Sequence, residues 1–537
     1  MNYANLFFAT LPETILEIAA LFVLVSDLAL LRKAALKTRV ACAALLGIAG
    51  CVAALMDVSV TVPFSAGADL LLAAGGSAGV AQCAILILTA LTLLLLIDCD
   101  FTRNPGEYVA VVLMAAAGGL IIAAAQDLLV IFTGLELLSL GLYILTAFNK
   151  QSGKSAEAAM KYYLFGGMSA AFLLFGFSYL YGLSGSTWLP RVVLGTYFAS
   201  ARGGWPLLAI ALVMVAVGLG FKVAAVPFHL WAPDTYEGAP APAAAFIASV
   251  SKVASFALLI SISSATMHWA ESLYVAGYLG RGHVTFTMTP PGAPLPHSAP
   301  GIITAWPLIL IVLSVASMVF GNLAALAQTS VRRLLAYSAI AHAGYILLGL
   351  AFFSRTNVSA AAVLYYIVTY GLTTIGAFGV VGVVERTTGS DRMDAFLGLH
   401  KRNPLLAAVS LVLFLSLAGI PPLVGFWAKF NLFAAVLGLG FRPHQLGLDF
   451  RPQHVITQLP TCPLVLVALA LAFSAVSLYY YLQVLKRVYV MPAADETPIH
   501  AHPVTLITLL AIAGAVVVMG CFPALLQGWI ASFYPAM

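Results

Sequence analysis

Six stretches of this sequence, residues 70–97, 301–331, 356–384, 403–428, 455–485 and 503–537, contain no Asp, Glu, Lys or Arg, and the shortest is 26 residues long. A helix of about 20 apolar residues crosses the hydrocarbon core of a bilayer. The runs are continuously apolar and do not alternate at every second residue. They therefore fit membrane helices and not the strands of a membrane barrel. Composition closes the soluble alternative. Hydrophobic residues make up 62% of the 537 and charged ones 8%, against about 45–50% and about 25% in a soluble domain. So few charges cannot cover a water-facing surface, and the lipid bilayer must be the outer solvent. The net charge of +5 is a poor guide to partners here, and nothing in it points to nucleic acid.

A pass along the chain places fourteen spans near residues 12–31, 40–57, 74–97, 108–125, 128–148, 158–182, 205–232, 240–264, 302–325, 333–353, 358–384, 404–438, 462–485 and 503–530. The expected fold class is all-α, a polytopic bundle of about fourteen transmembrane helices. The placement of Lys and Arg sets its orientation. With the N-terminus outside, the cytoplasmic loops hold fifteen of the 25 basic residues, among them Arg32, Lys33, Lys37, Arg39, Lys401 and Arg402. The outer loops hold six, and four lie within spans. This bias puts both termini on the outer side of a bacterial cytoplasmic membrane. The N-terminus lacks the basic leader and small-residue cleavage site of a signal peptide, so the first helix is expected to be retained. Two outer stretches, 280–300 and 440–460, are rich in Pro and His and read as solvent-facing excursions. Their histidines, His283, His297, His444 and His454, lack the spacing of metal ligands.

Two spans are interrupted by proline, at Val226-Pro227-Phe228 and at Ile420-Pro421-Pro422. Proline removes a helical hydrogen bond and breaks the turn, and unpaired backbone survives in a membrane only where protein or a water-filled cavity covers it. Two broken helices at matching places suggest inverted five-helix repeats with the ion path near the breaks. The expected organisation is three N-terminal helices in 1–106, one repeat in 107–265, an outer loop in 266–301, a second repeat in 302–490 and a last helix in 491–537.

A charge at bilayer depth costs at least about 2.5–3.5 kcal/mol, so intramembrane ionisable groups are functional candidates. Lys252 has no charge or histidine in the fourteen residues before it or the fifteen after it. Lys222 follows nineteen uncharged residues and precedes the Pro227 break, and Lys429 follows twenty-six. Glu136 sits nine residues past Asp127, about 13 Å along a helix. Lys161 lies nearer a helix end, four residues after Glu157. Buried lysine suits proton transfer because desolvation disfavours the ammonium while a nearby carboxylate favours it. His229 and His342 join the set, since histidine titrates near neutrality. The competing reading for each is a structural ion pair, a snorkelling lysine or a satisfied core histidine.

These same residues carry a family likeness. GFKVAAVPFHLWAPDTYEGAP (220–240), SVSKVASF around Lys252, LLAYSAIAHAGY (334–345) and GIPPLVGFWAKF (419–430) resemble the shared core of the antiporter-like membrane subunits of NADH:quinone oxidoreductase (complex I). That core also occurs in Mrp sodium/proton antiporters and membrane-bound hydrogenases. The opening LPETILEIAALFVLVSDL and the lysine at 429 are similar to the N branch of these subunits. The M branch has glutamate in its twelfth helix, and the L branch extends into a long lateral helix beyond where this sequence stops. The resemblance implies Glu136 as the carboxylate that tunes Lys222, Lys252 as the central relay, and His229 and His342 as liners of a hydrophilic axis. It implies Lys429 as the residue exchanging protons with one side, and Lys161 as a sixth-helix lysine. It also implies a neighbouring subunit M and small subunits such as K and J as partners. NAD, FMN, iron–sulfur clusters and quinone are then expected on partner chains.

The residues of this chain fit that division of labour. The sequence has no GxGxxG fingerprint, no Walker A loop and no CxxC pair among its six cysteines, so no nucleotide, cluster or structural zinc is expected on it. The leading expectation is a proton-translocating subunit. The alternatives are an Mrp-type cation/proton antiporter or hydrogenase subunit, and a membrane scaffold whose buried charges only pair.

Overall fold

The computed structural model describes residues 7, 9–61, 71–73, 75–279, 302–353, 357–442, 445–450, 463–493 and 497–533. The excursion at 280–300 and much of that at 440–460 lie outside the described residues, as do His283, His297, His444 and His454.

The apolar runs fold as helices whose ends carry ordinary stop signals. The first half comprises α1 (Leu11–Val25), α2 (Leu36–Thr61), α3 (Gly76–Leu96), α4 (Pro105–Ala124), α5 (Leu128–Thr146), α6 (Gly153–Ser184), α7 (Leu189–Ala199), α8 (Trp205–Val223), α9 (Trp231–Gly238), α10 (Ala241–Phe246) and α11 (Lys252–Leu279). The second half comprises α12 (Ile302–Leu326), α13 (Val331–Ala351), α14 (Asn357–Thr388), α15 (Pro404–Ala418), α16 (Val424–Val436), α17 (Pro463–Tyr489), α18 (Pro503–Cys521) and α19 (Pro523–Ser532). Side chains of Asp127, Ser152, Ser330 and Asn403 cap α5, α6, α13 and α15 by accepting backbone N–H bonds, which satisfies donors a helix start leaves open.

Twelve of these helical segments are long and apolar enough to cross a membrane. Two shorter apolar helices, α15 and α16, stand beside them, and α1 continues through a π turn at Ser26–Leu30. The span expected at 205–232 stops at Val223, and that at 404–438 is split after Ala418, both at the prolines. Four features depart from the sequence reading. The stretch 188–204 is helical in α7, with Leu189, Val192, Val193 and Thr196 buried along one face; eleven residues are too few for a hydropathy span. The span expected at 503–530 is two helices, because Pro523 ends the hydrogen-bond ladder. A short antiparallel hairpin, β1 (Leu439–Arg442) with β2 (Gln445–Phe450), opens the second Pro- and His-rich stretch. A π turn at Ile247–Ser251 joins α10 to α11 immediately before Lys252; such turns recur at functional sites.

The α10–α11 helix, α13 and α14 form the centre and are almost wholly enclosed by protein, whereas α2, α6 and α17 present much of their length outward. Gly382 lets α14 lie close along the Lys252 helix, and Gly371 faces it at ordinary contact distance. A Cβ on Gly382 would stand 2.9 Å from Ala241 Cβ, and one on Gly371 3.6 Å from Ser249 Cβ.

Candidate functional site

Proline breaks leave helix ends inside the membrane, and two lysines sit at them. Lys222 lies in the last turn of α8, where Ala224 turns the chain into the left-handed region at φ 58°. Its ammonium is favoured by the C-terminal end of the helix dipole. The side chain is 6% exposed and donates to Ser139 Oγ on α5. The rings of Phe221 and Tyr143 stand 5.7 and 6.0 Å from the ammonium. The second break mirrors this chemistry. Lys429 Nζ donates to the backbone carbonyls of Ala418 at 2.9 Å and Leu417 at 3.3 Å, and to Ser474 Oγ at 2.9 Å. The interrupted helix α15 supplies the carbonyls that lack intrahelical partners.

Gly419 is required twice at that break. Its φ is 86°, and an added Cβ would come within 3.0 Å of Lys429 Cδ and 3.1 Å of Nζ. Gly419→Ala should therefore cost about 1–2 kcal/mol in backbone strain and push Lys429 off its carbonyls. A lower melting temperature of the assembled complex together with reduced proton transport checks this; unchanged transport would show that the Lys429 seat tolerates displacement.

Lys252 lies between the breaks. It is 3% exposed, and Nζ donates to the Ala339 carbonyl of α13 at 2.6 Å. Tyr370 stands 5.9 Å from it, and Tyr370 in turn lies 4.8 Å from the His342 ring. His342 shares hydrogen bonds with Tyr366 Oη at 2.8 Å through Nδ1 and with Tyr481 Oη at 3.4 Å through Nε2. Tyr345, 5.9 Å from His342 and 5.6 Å from the Lys429 ammonium, continues the series. Tyr345 Oη accepts from Asn322 Nδ2 at 3.1 Å, and Asn322 Oδ1 accepts from Tyr480 at 3.2 Å. By ring contact the order is thus Lys252, Tyr370, His342, Tyr345, Lys429. The hydroxyls bonded to His342 itself are those of Tyr366 and Tyr481, which can both give and accept a proton.

The other expected residues fall less evenly. Glu136 is half-buried on α5, three residues before Ser139. Its charge is within electrostatic reach of Lys222 and Tyr143, but among the described residues no ion pair joins it to Lys222. Ser139 holds the lysine. His229 is 5% exposed beyond the first break, 4.7 Å from the Phe320 ring, and its Nδ1 has no hydrogen-bond partner among the described residues. Lys161 is not brought into the lysine row. It pairs with Glu157 at 2.7 Å and Asp234 at 2.8 Å in a charged rim, where Arg333 also binds Asp234 at 2.7 Å and Glu237 at 3.0 Å. Burial alone would raise the Asp234 carboxyl, but the bonds and charges of Lys161 and Arg333 outweigh it and hold it below its ordinary value. This rim ties α9 to α6 and α13. Arg333→Gln should speed amide exchange in Trp231–Gly238 about fivefold, the scale of about 1 kcal/mol for a partly exposed pair; unaltered exchange would remove the rim as an anchor of α9.

The sequence reading did not single out Ser139, Asn322, Tyr345, Tyr366, Tyr370, Ser474 or Tyr481. A signal existed: tyrosines recur inside uncharged spans at 365–366, 370 and 479–481, and a hydroxyl at membrane depth needs a partner. Among the described residues no group of three or more His, Cys, Asp or Glu is arranged to hold a metal ion.

A bundle with two proline-broken helices and a buried row of lysines is the architecture of ion-translocating antiporter-like membrane proteins. The chain matches the family described as "NADH:quinone oxidoreductase/Mrp antiporter, TM" over residues 125–280 and 296–442. It is 46% identical to NADH-quinone oxidoreductase subunit N 2 of Acidobacterium capsulatum over 540 residues, covering 99% of each. A chain of respiratory complex I from Thermus thermophilus, solved with bound aureothin, superposes with a TM-score of 0.71 at 32% identity, over 96% of this chain and 98% of that one. A chain of the Mrp complex from Dietzia sp. shares the fold at 20% identity and a TM-score of 0.74, over 98% of this chain and 51% of that one. The chain belongs to this antiporter-like membrane family and, within it, to subunit N of NADH-quinone oxidoreductase.

Proposed function

We propose that the chain carries protons across a bacterial membrane as the N subunit of a type I NADH:quinone oxidoreductase, along Lys222, Lys252, His342 and Lys429, with Glu136 modulating Lys222. Electron transfer, with its NAD, FMN, iron–sulfur clusters and quinone, belongs to partner chains. The observation that carries this is the chemistry of the three buried lysines. Each is held by hydroxyl or carbonyl oxygens, and none has a carboxylate within ion-pair distance among the described residues. A structural charge at this depth would be expected to have a counter-charge. An ammonium held only by neutral oxygens can lose its proton and regain it without breaking an ion pair.

Residues 107–265 and 302–490 act as two inverted repeats, each contributing one broken helix. His229 lines the axis next to the first break, and Lys161 acts on it through Asp234 and the charged rim. The excess of basic residues on one side supports a cytoplasmic location for that rim and an outer location for both termini. A cysteine replacing Lys401 should then react with an impermeant reagent only from the cytoplasmic side; reaction from the outer side alone would invert the orientation. Subunit M and small subunits such as K and J are the expected neighbours. Purification through a tag on this chain, in mild detergent, tests the whole reading. Partner chains and NADH:quinone activity should come with it, and the chain stripped of partners should have none. Recovery with antiporter subunits and no NADH oxidation would favour an Mrp-type assembly instead.

A further inference from the structure

The N-terminal helices and α4 enclose an ionisable group that the lysine row does not use. α1 and α2 pack so closely that a Cβ on Gly50 would stand 2.5 Å from Ala19 Cβ. Six residues back along α1 from that contact is Glu13, and seven on along the antiparallel α2 is Asp57, so both reach one level of the bundle. Gln82 of α3 bridges there between Glu13 Oε1 at 3.4 Å and the Leu120 carbonyl of α4 at 3.5 Å. α3 runs from this level towards Cys99, which lines one cavity with Lys154 and Glu237 of the charged rim. Glu13 therefore lies toward the opposite face of the membrane. It is also separated from the row by α4, where a Cβ on Gly119 would stand 3.6 Å from Ala254 Cβ on the Lys252 helix.

Glu13 is 3% exposed, and its Oε2 has no hydrogen-bond partner among the described residues. No Lys, Arg or His pairs with it among them either. The charges that reach it are both negative, Glu17 one turn on along α1 and Asp57. α3 carries no charged residue or histidine, and the one charged residue of α4, Glu107, lies in its first turn at the far end. The two bonds that Gln82 makes are at the long limit for an N–H donor, too weak to hold a full negative charge. A carboxylate without a counter-ion in such surroundings takes up a proton instead of staying charged, and two neighbouring carboxylates disfavour a third.

We propose that this pocket is a proton-binding site in its own right, in which Glu13 stands as the neutral acid, a proton in the place of a counter-ion, and is open to modification by a hydrophobic carbodiimide. The inference stands apart from the transport reading and needs only that the bundle lies in the membrane. In the modification the acid proton passes to a carbodiimide nitrogen while the carboxyl oxygen bonds to the central carbon. The O-acylisourea so formed rearranges to an N-acylurea that keeps every atom of the reagent, with no oxidant, reductant or leaving group. An ionised carboxylate lacks the proton that starts this sequence. The apolar walls around Glu13 keep out the water and amines that would divert it.

Two measurements on the assembled complex test this. Glu13→Gln copies the neutral acid in shape, so the variant should assemble with normal subunit content and melt no lower than the parent. In the parent, Glu13 ionises when α1 comes free and meets water, so the unfolded state binds fewer protons and stability falls as pH rises. The melting temperature of Glu13→Gln should therefore exceed that of the parent by a margin that widens from acid to neutral pH. Diisopropylcarbodiimide added to membranes should put its whole mass on Glu13, less as pH rises, and none at position 13 in Glu13→Gln. Glu17→Gln should keep this label but, having lost a neighbouring negative charge, lose it at a lower pH than the parent. A Glu13→Gln complex that melts below the parent at every pH would show an ionised, counter-charged carboxylate and overturn the proposal. Protection of Glu13 from the reagent by sodium ions would overturn it too, by making a metal cation the occupant. Lys252→Met should leave all of these readouts unchanged, so they stand or fall independently of the transport reading.

Discussion

Lys252→Met in an otherwise complete complex is expected to lower proton pumping about tenfold or more, a loss of about 1.4 kcal/mol or greater at the transport barrier. Methionine keeps the apolar stem that packs between α13 and α14 and removes the ammonium held by the Ala339 carbonyl. Removing a buried charge without a counter-ion does not weaken folding, since its desolvation cost disappears with it. The defect should therefore fall on transport and leave subunit content normal. Lys252→Arg should fail too, because a guanidinium stays protonated and cannot pass a proton towards Tyr370 and His342. The measurement is protons moved per NADH oxidised in sealed vesicles, beside subunit content of the same membranes. Parent-like pumping by Lys252→Met would make the lysine a structural relic and favour a scaffold.

Lys222 and its neighbours on α5 should give the second large effect. Glu136→Gln is expected to depress pumping despite its near-identical shape, because the charge felt by Lys222 is lost. Glu136→Asp should keep part of the activity, as the charge survives at shorter reach. Ser139 makes this site separable into two contributions. Ser139→Ala removes the hydrogen bond that holds Lys222 and should cost about 1–3 kcal/mol as an unsatisfied buried donor. It leaves the carboxylate in place. Lys222→Ala should be severe and Lys222→Arg should also fail, since arginine holds its charge but does not cycle. A purely structural pair predicts the reverse for arginine. If Lys222→Arg assembles and pumps like the parent, proton switching at this lysine is wrong.

The depth of the lysines was legible in the sequence because a membrane makes depth one-dimensional. Fourteen and fifteen uncharged residues on either side of Lys252 leave it nowhere to lie but the middle of a helix. The breaks at Pro227 and Pro421 were legible for an equally local reason, since proline lacks the N–H that a helix requires. The amphipathic helix α7 and the π turn before Lys252 were not. The first is shorter than a hydropathy window, and the second carries no proline or glycine in Ile247–Ser251 to mark it.

Sequence by itself thus determined a bilayer-spanning bundle, where its charges sit along the membrane normal, and which helices break. These are properties of single segments in contact with lipid, set by transfer free energy and backbone chemistry. Only the tertiary structure decided who meets whom. It gave Lys222 to Ser139 instead of Glu136, tied Lys161 to Asp234 in the rim, and filled the interval between Lys252 and Lys429 with tyrosines from α13, α14 and α17. Those partners come from helices up to 139 residues apart in sequence. Their meeting is set by the rotation and packing of each helix in the bundle, which the apolar pattern of a membrane span, hydrophobic on every side, does not encode.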